Sequence, residues 1–467
     1  MSGRLVVDFA TWFVLVYFVL LNLGYLSLNL LALGSLRRDI HRKIVDELPQ
    51  PFTGLEPAIS LLVPAYNEEA TIAASLRSML QLAYPEFEIV VINDGSRDGT
   101  LKVLIEQFDL VLFPEAVNPR LPTRTVRGVW RSRSHPNLRV VDKENGGKAD
   151  SLNAGINVAR HPLFCGVDAD SLLARDSLRR VVRPFLRDPR MVASGGTVRV
   201  ANGCEVQAGL LTRVGLPRNP WALFQVVEYL RAFLFGRLGW SEIGGMLIIS
   251  GAFGLFRTDV VVDAGGYRPR TIGEDMELVV RLHRMLRERG VDYRIEFVPD
   301  PVCWTEVPED RRTLANQRIR WQRGLSESLA GHWRLMFSRN GGAPGWLAFP
   351  FMVLFEWLGP IVELGGYIFM AVAFASGLVS WQAFAVFLFL AIGLGILLSA
   401  SGLLLEEIAF HVYPKRRHLL VLAVVVVLEN FGYRQHNSGW RLVALCRWAA
   451  QTEPKWGAMK RRGLGGP

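Results

Sequence analysis

From Phe9 to Ser35 the chain carries no charged residue. These 27 consecutive positions exceed the roughly 20 that cross a bilayer as an α-helix. Arg37, Arg38, Arg42 and Lys43 follow at once, whereas Arg4 is the one basic residue before the run. The excess of positive charge on the cytosolic side puts the N-terminus outside and brings the chain into the cytosol near residue 36. The apolar core is too long, and its N-terminal flank too weakly basic, for a cleaved signal peptide.

A second apolar zone fills the C-terminal quarter. Leu364–Leu405 is uncharged over 42 positions, enough for two spans that turn near Gly377–Ser380. Trp346–Val362 is apolar apart from Glu356 and is interrupted at Gly359–Pro360. Leu419–Leu428 ends at Glu429, and Lys415, Arg416 and Arg417 are expected in the cytosol. Trp440–Ala450 is amphipathic. A cytosolic tail with Lys455, Lys460, Arg461 and Arg462 requires 419–450 to form a hairpin or lie in the interface. Glu356, Glu363 and Glu429 are costly if they face lipid; they either line a polar path or sit at helix ends and pair within the bundle.

Composition narrows the rest. The chain has 467 residues, half of them hydrophobic, and a net charge of +10. Its mean hydropathy of +0.22 excludes a disordered chain. The basic balance fits nucleic-acid binding or the flanks of membrane helices, and the map of apolar runs favours the second. Cys165, Cys204, Cys303 and Cys446 are far apart, match no zinc spacing and read as reduced thiols.

Residues 40–340 read as soluble α/β. Apolar runs at Ile59–Val63, Ile89–Ile92, Leu138–Val141, Leu163–Val167, Val192–Val198 and Ile248–Phe256 alternate with helix-like stretches, as in a mostly parallel sheet. Ligands bind beyond the carboxyl ends of such strands. The first four runs are followed by Pro64-Ala65-Tyr66-Asn67-Glu68, Asn93-Asp94-Gly95-Ser96, Asn145-Gly146-Gly147-Lys148 and Asp168-Ala169-Asp170. Acids, glycines and a lysine thus meet on one rim. Residues 113–137, with five arginines and four prolines, read first as a solvated loop, with anionic lipid or a polyanionic product as the sharper alternative.

The spacing of Asp168 and Asp170 suits a divalent cation shared with substrate phosphates; the plainer reading makes them turn or N-cap residues. Gly146-Gly147-Lys148 suits a phosphate or a sugar, or an ordinary turn. Asp275 precedes a helix-like stretch, either as a cap or as a general base. Gln317, Arg320 and Trp321 share one helical face. They offer a guanidinium fork for a diphosphate and an indole for a sugar ring, or simply a basic helix lying on lipid.

The ordered set PAYNE, NDGSRDGT, NGGKADSLNAG, DAD, SGAFGLFR with GGY, GED and QRIRW over residues 55–330 resembles the membrane-integrated family 2 glycosyltransferases. These include cellulose, chitin, hyaluronan and poly-N-acetylglucosamine synthases, and the poly-N-acetylglucosamine branch is the most similar. The resemblance implies a cytosolic GT-A-like domain flanked by transmembrane and interfacial helices in a multi-pass inner-membrane enzyme. It divides the chain into an N-terminal membrane helix (1–36), a transferase domain (37–315), an interfacial QRIRW region (316–345), C-terminal helices (346–450) and a basic tail (451–467). It implies nucleotide-sugar binding by Ala65, Tyr66, Glu68, Asp94, Lys148, Asp168, Gln317 and Arg320. Asp170 would ligate Mg2+ or Mn2+, Ser250, Gly251 and Trp321 would meet the acceptor, and Asp275 would be the base.

The implied reaction is inverting transfer from UDP-N-acetylglucosamine or UDP-glucose to a growing polysaccharide, processive and coupled to export. The alternative is transfer of one sugar to a lipid. Membrane lipids are expected partners and nucleic acid is not. Gly273 stands where the family usually has threonine, and no cyclic-dinucleotide domain is expected after residue 450.

Overall fold

The runs at 59, 89, 138 and 163 become the parallel centre of one large sheet. The computed structural model describes residues 2–46, 54–115, 119–207, 210–413 and 415–452. The four basic residues expected in the tail lie outside the described residues. Among the described residues, twelve strands occur in chain order: β1 Ile59–Ala65, β2 Phe87–Asp94, β3 Leu110–Phe113, β4 Val126–Ser132, β5 Leu138–Lys143, β6 Leu163–Val167, β7 Leu172–Leu173, β8 Met191–Val200, β9 Glu205–Gln207, β10 Leu210–Arg213, β11 Phe253–Arg257 and β12 Arg294–Thr305. Ten of them form a sheet in the order β3-β4-β5-β2-β1-β6-β11-β8-β12-β7.

Neighbours in the run β5-β2-β1-β6 are parallel. Their residues are almost wholly buried, as expected where helices cover both faces of a sheet. β1 sits between β2 and β6, the point at which the strand order reverses. The crevice beyond the carboxyl ends at such a point is where ligands bind in open α/β sheets.

Two expectations need correction. The basic segment 113–137 is not simply a solvated loop. Its second half is β4, which pairs antiparallel with both β3 and β5, and two of its arginines are tied down. Arg120 donates to the carbonyl of Ile156 at 2.6 Å, and Arg131 meets Glu115 at 3.2 Å. Val129 and Trp130 pack inward, which the prolines and arginines around them had masked. The run Ile248–Phe256 is a strand only from Phe253, because Ile249–Gly251 bend across the head of the sheet to meet the acidic site described below.

The apolar segments are helical. Ser2–Asp46 is one helix. Gly359–Ala375 and Trp381–Ala409 are joined by a turn at 376–380 in which the Ser380 hydroxyl accepts from the Ala383 N–H at 3.3 Å. Gly3–Arg38 and Trp381–Ala409 are long and apolar enough to cross a membrane. Pro344–Trp357 with Gly359–Ala375, bent by 44°, makes a third candidate if taken as one span. Val14, Phe18 and Leu21 pack with Met370, Ala373 and Phe387.

The acidic residues of these zones pair internally. Glu356 meets Arg441 at 2.8 Å, Glu363 accepts from the Ser438 hydroxyl at 2.8 Å, and Glu429 meets Arg231 at 2.6 Å. Arg416–Leu428 and Arg434–Ala449 are separated by non-helical backbone at Phe431–Gly432. The second of them docks on the helix that carries QRIRW, where the Arg441 Nε donates to Gln322 at 2.8 Å.

Candidate active site

The loops after β1 and β2 are stitched to each other. Asn67, at φ +56°, turns the chain sharply, and its side-chain oxygen accepts from the Arg97 N–H at 2.9 Å. The Glu68 N–H donates to Thr100 at 2.9 Å. Ala65 is buried at the end of β1 and Tyr66 is exposed just beyond it, on the rim expected for a nucleotide base.

Asp94 ends β2 and is buried. Its carboxylate accepts from Lys143 at 2.6 Å and from the N–H groups of Gly146 and Gly147 at 2.9 and 2.8 Å. Lys143, wholly buried, also meets Asp150 at 2.6 Å. This buried triad shapes the 145–147 loop and so aims Lys148, the first residue of the helix Lys148–Val158. Lys143 was not recognised in the sequence. The signal was a lysine that ends β5 opposite the acid that ends the neighbouring β2.

Lys148 is the hub of the site. Its Nζ lies 2.6 Å from Asp168, 3.5 Å from Glu274 and 3.1 Å from the Gly251 carbonyl. Burial alone would depress the ammonium; Asp168, Glu274 and Asp275 instead hold it above the ordinary lysine range. Burial raises the Glu274 carboxyl, Lys148 opposes the rise, and Asp275 adds to it. Tyr267 lines the same cleft. Burial, Glu274 and Asp275 push its phenol up, so it stays a neutral donor.

Asp275 lies in the first turn of the helix Glu274–Glu288. Its Oδ2 accepts from the Gly251 N–H at 3.0 Å and its Oδ1 from the Met276 N–H at 2.8 Å. A carboxylate has about four lone-pair sites, so the group is oriented with capacity to spare for a proton. Gly251 is squeezed between the two charges. A Cβ there would come within 2.9 Å of the Lys148 Nζ and 3.4 Å of the Asp275 Oδ2. The neighbouring Ser250 lines the same cleft.

Asp168 follows β6 directly, and Asp170 is buried two residues on. The reading of Asp170 as a helix cap fails, since β7 follows it and the next helix is Ser177–Arg187. Among the described residues, no group of three or more His, Cys, Asp or Glu could hold a metal ion by itself. Two hard oxygen donors two residues apart fit a cation that completes its shell with water and phosphate oxygens.

The QRIRW residues lie on the helix Arg311–Gly331. Gln317 and Arg320 are partly buried. Trp321 is exposed on one face, with the Arg318 guanidinium 4.2 Å from its ring centre. Arg318, passed over in the sequence reading because it falls off the face of its neighbours, is buried against Glu228 at 2.7 Å. One turn after Trp321, Gly324 touches Gly273 of the GED segment, and the Ile272 N–H donates to Glu327 at 3.0 Å. QRIRW and the candidate base therefore belong to one structural unit.

A mostly parallel sheet with carboxylates and a lysine at its central strand ends defines the class of GT-A-like sugar transferases. The profile of Glycosyl transferase family 2 matches residues 60–260, and that of Glycosyl transferase family group 2 matches residues 164–398. The chain belongs to glycosyltransferase family 2. Over 272 residues it is 30% identical to the poly-beta-1,6-N-acetyl-D-glucosamine synthase of Staphylococcus epidermidis, covering 58% of this chain and 55% of that one. It is 31% identical over 274 residues to the synthase of the same name from Staphylococcus aureus strain COL, at the same coverage. The matched region thus spans about half the length of these curated relatives. A mannosyltransferase from Pyrobaculum calidifontis, solved with GDP-Man and Mn2+, shares the fold at a TM-score of 0.53 and 20% identity, covering 90% of this chain and 99% of that one.

Proposed function

We propose that this glycosyltransferase moves a sugar from a UDP-sugar, UDP-N-acetylglucosamine before UDP-glucose, onto a growing polysaccharide at the cytoplasmic face of the inner membrane. Elongation is processive and coupled to export through a multi-pass bundle. The observation that carries this reading is the convergence of Asp168, Glu274 and the Gly251 carbonyl on Lys148, with Asp275 on the Gly251 N–H, beyond the sheet. The synthase relatives support a polysaccharide product, and the apolar helices support a membrane setting.

In this reading Asp275 accepts the proton of an acceptor hydroxyl. The freed oxygen attacks the anomeric carbon as the bond to the diphosphate breaks, so the configuration inverts. Gly251 and Met276 orient the base through their N–H groups. Lys148 holds Asp168 and draws the acidic cluster together. Ala65, Tyr66, Glu68 and Asp94 form the nucleotide side, while Gln317, Arg320 and Trp321 close over the diphosphate and the acceptor with Ser250. Asp168 and Asp170 would hold Mg2+ or Mn2+, which when bound neutralises charge on the leaving diphosphate.

The test is incubation of the purified full chain in lipid nanodiscs with labelled UDP-sugars, followed by sizing of the product. Ladders or high-mass material support the reading, and a single glycolipid band replaces it with single-sugar transfer to lipid. If neither the wild type nor Asp275→Asn releases UDP from any UDP-sugar, the donor assignment is wrong.

A further inference from the structure

We infer that Glu327, which lies in none of the sequence motifs, is a further positioning residue of the reaction centre: it holds the segment that carries the base Asp275 in register with Arg320. The inference rests on the roles given to Asp275 and Arg320 above.

The helix that carries the base cannot fix its own start. Asp275 lies in the first turn of Glu274–Glu288, and the cap position is Gly273, which has no side chain to offer. The first N–H groups of a helix lack partners within it, and a polar cap residue normally supplies one and pins the entry of the chain. Here the entry is pinned from another element. The Ile272 N–H, just before Gly273, donates to the Glu327 Oε2 at 3.0 Å.

Glu327 is itself held in place. Its Oε1 accepts from the Arg323 Nε at 3.0 Å, one turn back on the same helix. Both side chains are largely enclosed, at 22% exposure for Glu327 and 17% for Arg323. The carboxylate thus presents one oxygen to the loop and the other to a guanidinium. Between Glu327 and the QRIRW motif, a Cβ on Gly324 would lie 2.9 Å from the Gly273 nitrogen. Van der Waals contact between two glycines sets a distance but lets the elements slide. A hydrogen bond is directional, so Glu327 adds the register that the glycines cannot.

Helical spacing links this bond to the diphosphate side. Arg320, Gly324 and Glu327 stand at i, i+4 and i+7 on Arg311–Gly331, which places them on one face. The face that grips the base segment is therefore the face that carries Arg320. The helix is anchored independently, by Arg441 on Gln322 and by Glu228 on Arg318. Removing Glu327 releases the base segment while Arg320 stays where it is. A misplacement of about 1 Å far from the chemistry can cost about 10²-fold in rate.

The experiment measures UDP release from UDP-N-acetylglucosamine by the full chain in lipid nanodiscs, with kcat and KM determined separately and UDP binding titrated in parallel. The variants are Glu327→Leu, which removes both acceptor oxygens, and Glu327→Gln, which keeps one for the Ile272 N–H. Glu327→Leu should lower kcat by about 10- to 100-fold with KM and UDP affinity unchanged, and Glu327→Gln should regain most of the turnover. Retained UDP binding also shows that the variant is folded. Wild-type kcat in Glu327→Leu overturns the inference, as does an equal fall of kcat and UDP affinity in both variants, the mark of a merely structural residue. Asp275→Asn in the same assay separates the two readings: wild-type turnover there is the failure of the base assignment itself, whatever the Glu327 variants show.

Discussion

Gly273 and Gly324 face each other so closely that neither has room for a side chain. A Cβ on Gly273 would lie 2.9 Å from the Gly324 Cα, and one on Gly324 would lie 2.8 Å from the Gly273 Cα. The obstacle on both sides is backbone, so no rotamer change relieves it. This contact explains the departure from the family's usual threonine: with glycine at both positions, the QRIRW helix seats directly on the segment that leads into Asp275.

Adding a side chain at either glycine should separate the two elements. Gly324→Ala and Gly273→Thr are each expected to cost about 1–3 kcal/mol, the usual price of overpacking, and to lower turnover by at least about tenfold through a displaced Trp321. Thermal unfolding in detergent and UDP release, measured side by side, check this. A Gly273→Thr variant as active and as stable as the wild type would refute it.

Asp275→Asn keeps the shape of the side chain and removes the base. Turnover should fall by at least about 10²-fold, the general-base scale, with UDP binding preserved. The UDP-release assay, paired with UDP titration, separates these effects.

Lys148→Met removes the cation shared by Asp168 and Glu274. Burial already raises the Glu274 carboxyl, and Lys148 opposes that rise; without the lysine the carboxyl rises further. The acid limb of the pH–rate profile should move to higher pH. A profile with an unmoved acid limb would count against Lys148 as the electrostatic hub.

Acid should destabilise the domain in two stages. Burial, with a smaller contribution from Arg287, holds His283 down at about 4 from an ordinary 6.5. The folded state keeps it neutral, and its contribution is complete above about pH 6.5 and is lost as the pH falls through 4. Burial would raise Glu277, but His332, Arg281 and Arg268 hold it down at about 2 from 4.5. Its contribution is present above about pH 4.5 and is lost toward pH 2. Melting temperature against pH should drop across both windows, and Glu277→Gln should flatten the lower one.

Arg441→Gln leaves Glu356 without its cation and detaches Gln322 of the QRIRW helix. Loss of one partner of this partly buried pair is expected to cost about 1–2 kcal/mol, between the scales of exposed and buried pairs. The double variant Arg441→Gln with Glu356→Gln should recover part of that in the same melting assay.

Much of this was legible in the chain. An uncharged run at residue 9, apolar runs ending in acids and glycines, and a charge-free stretch with a turn near Ser380 are local signals. They depend on residue type and short spacing, so they identified the long apolar helices, the parallel strand ends and the placement of Asp94, Lys148 and Asp168. Strand β4 was hidden because its inward residues are few and stand among arginines and prolines.

Tertiary structure alone decided who meets whom. Lys148 reaches Gly251 across 103 positions, Glu356 finds Arg441, and Gly273 finds Gly324. Periodicity and spacing describe one element at a time. Contacts between elements follow from how every side chain packs at once, and that is written in no single stretch of sequence.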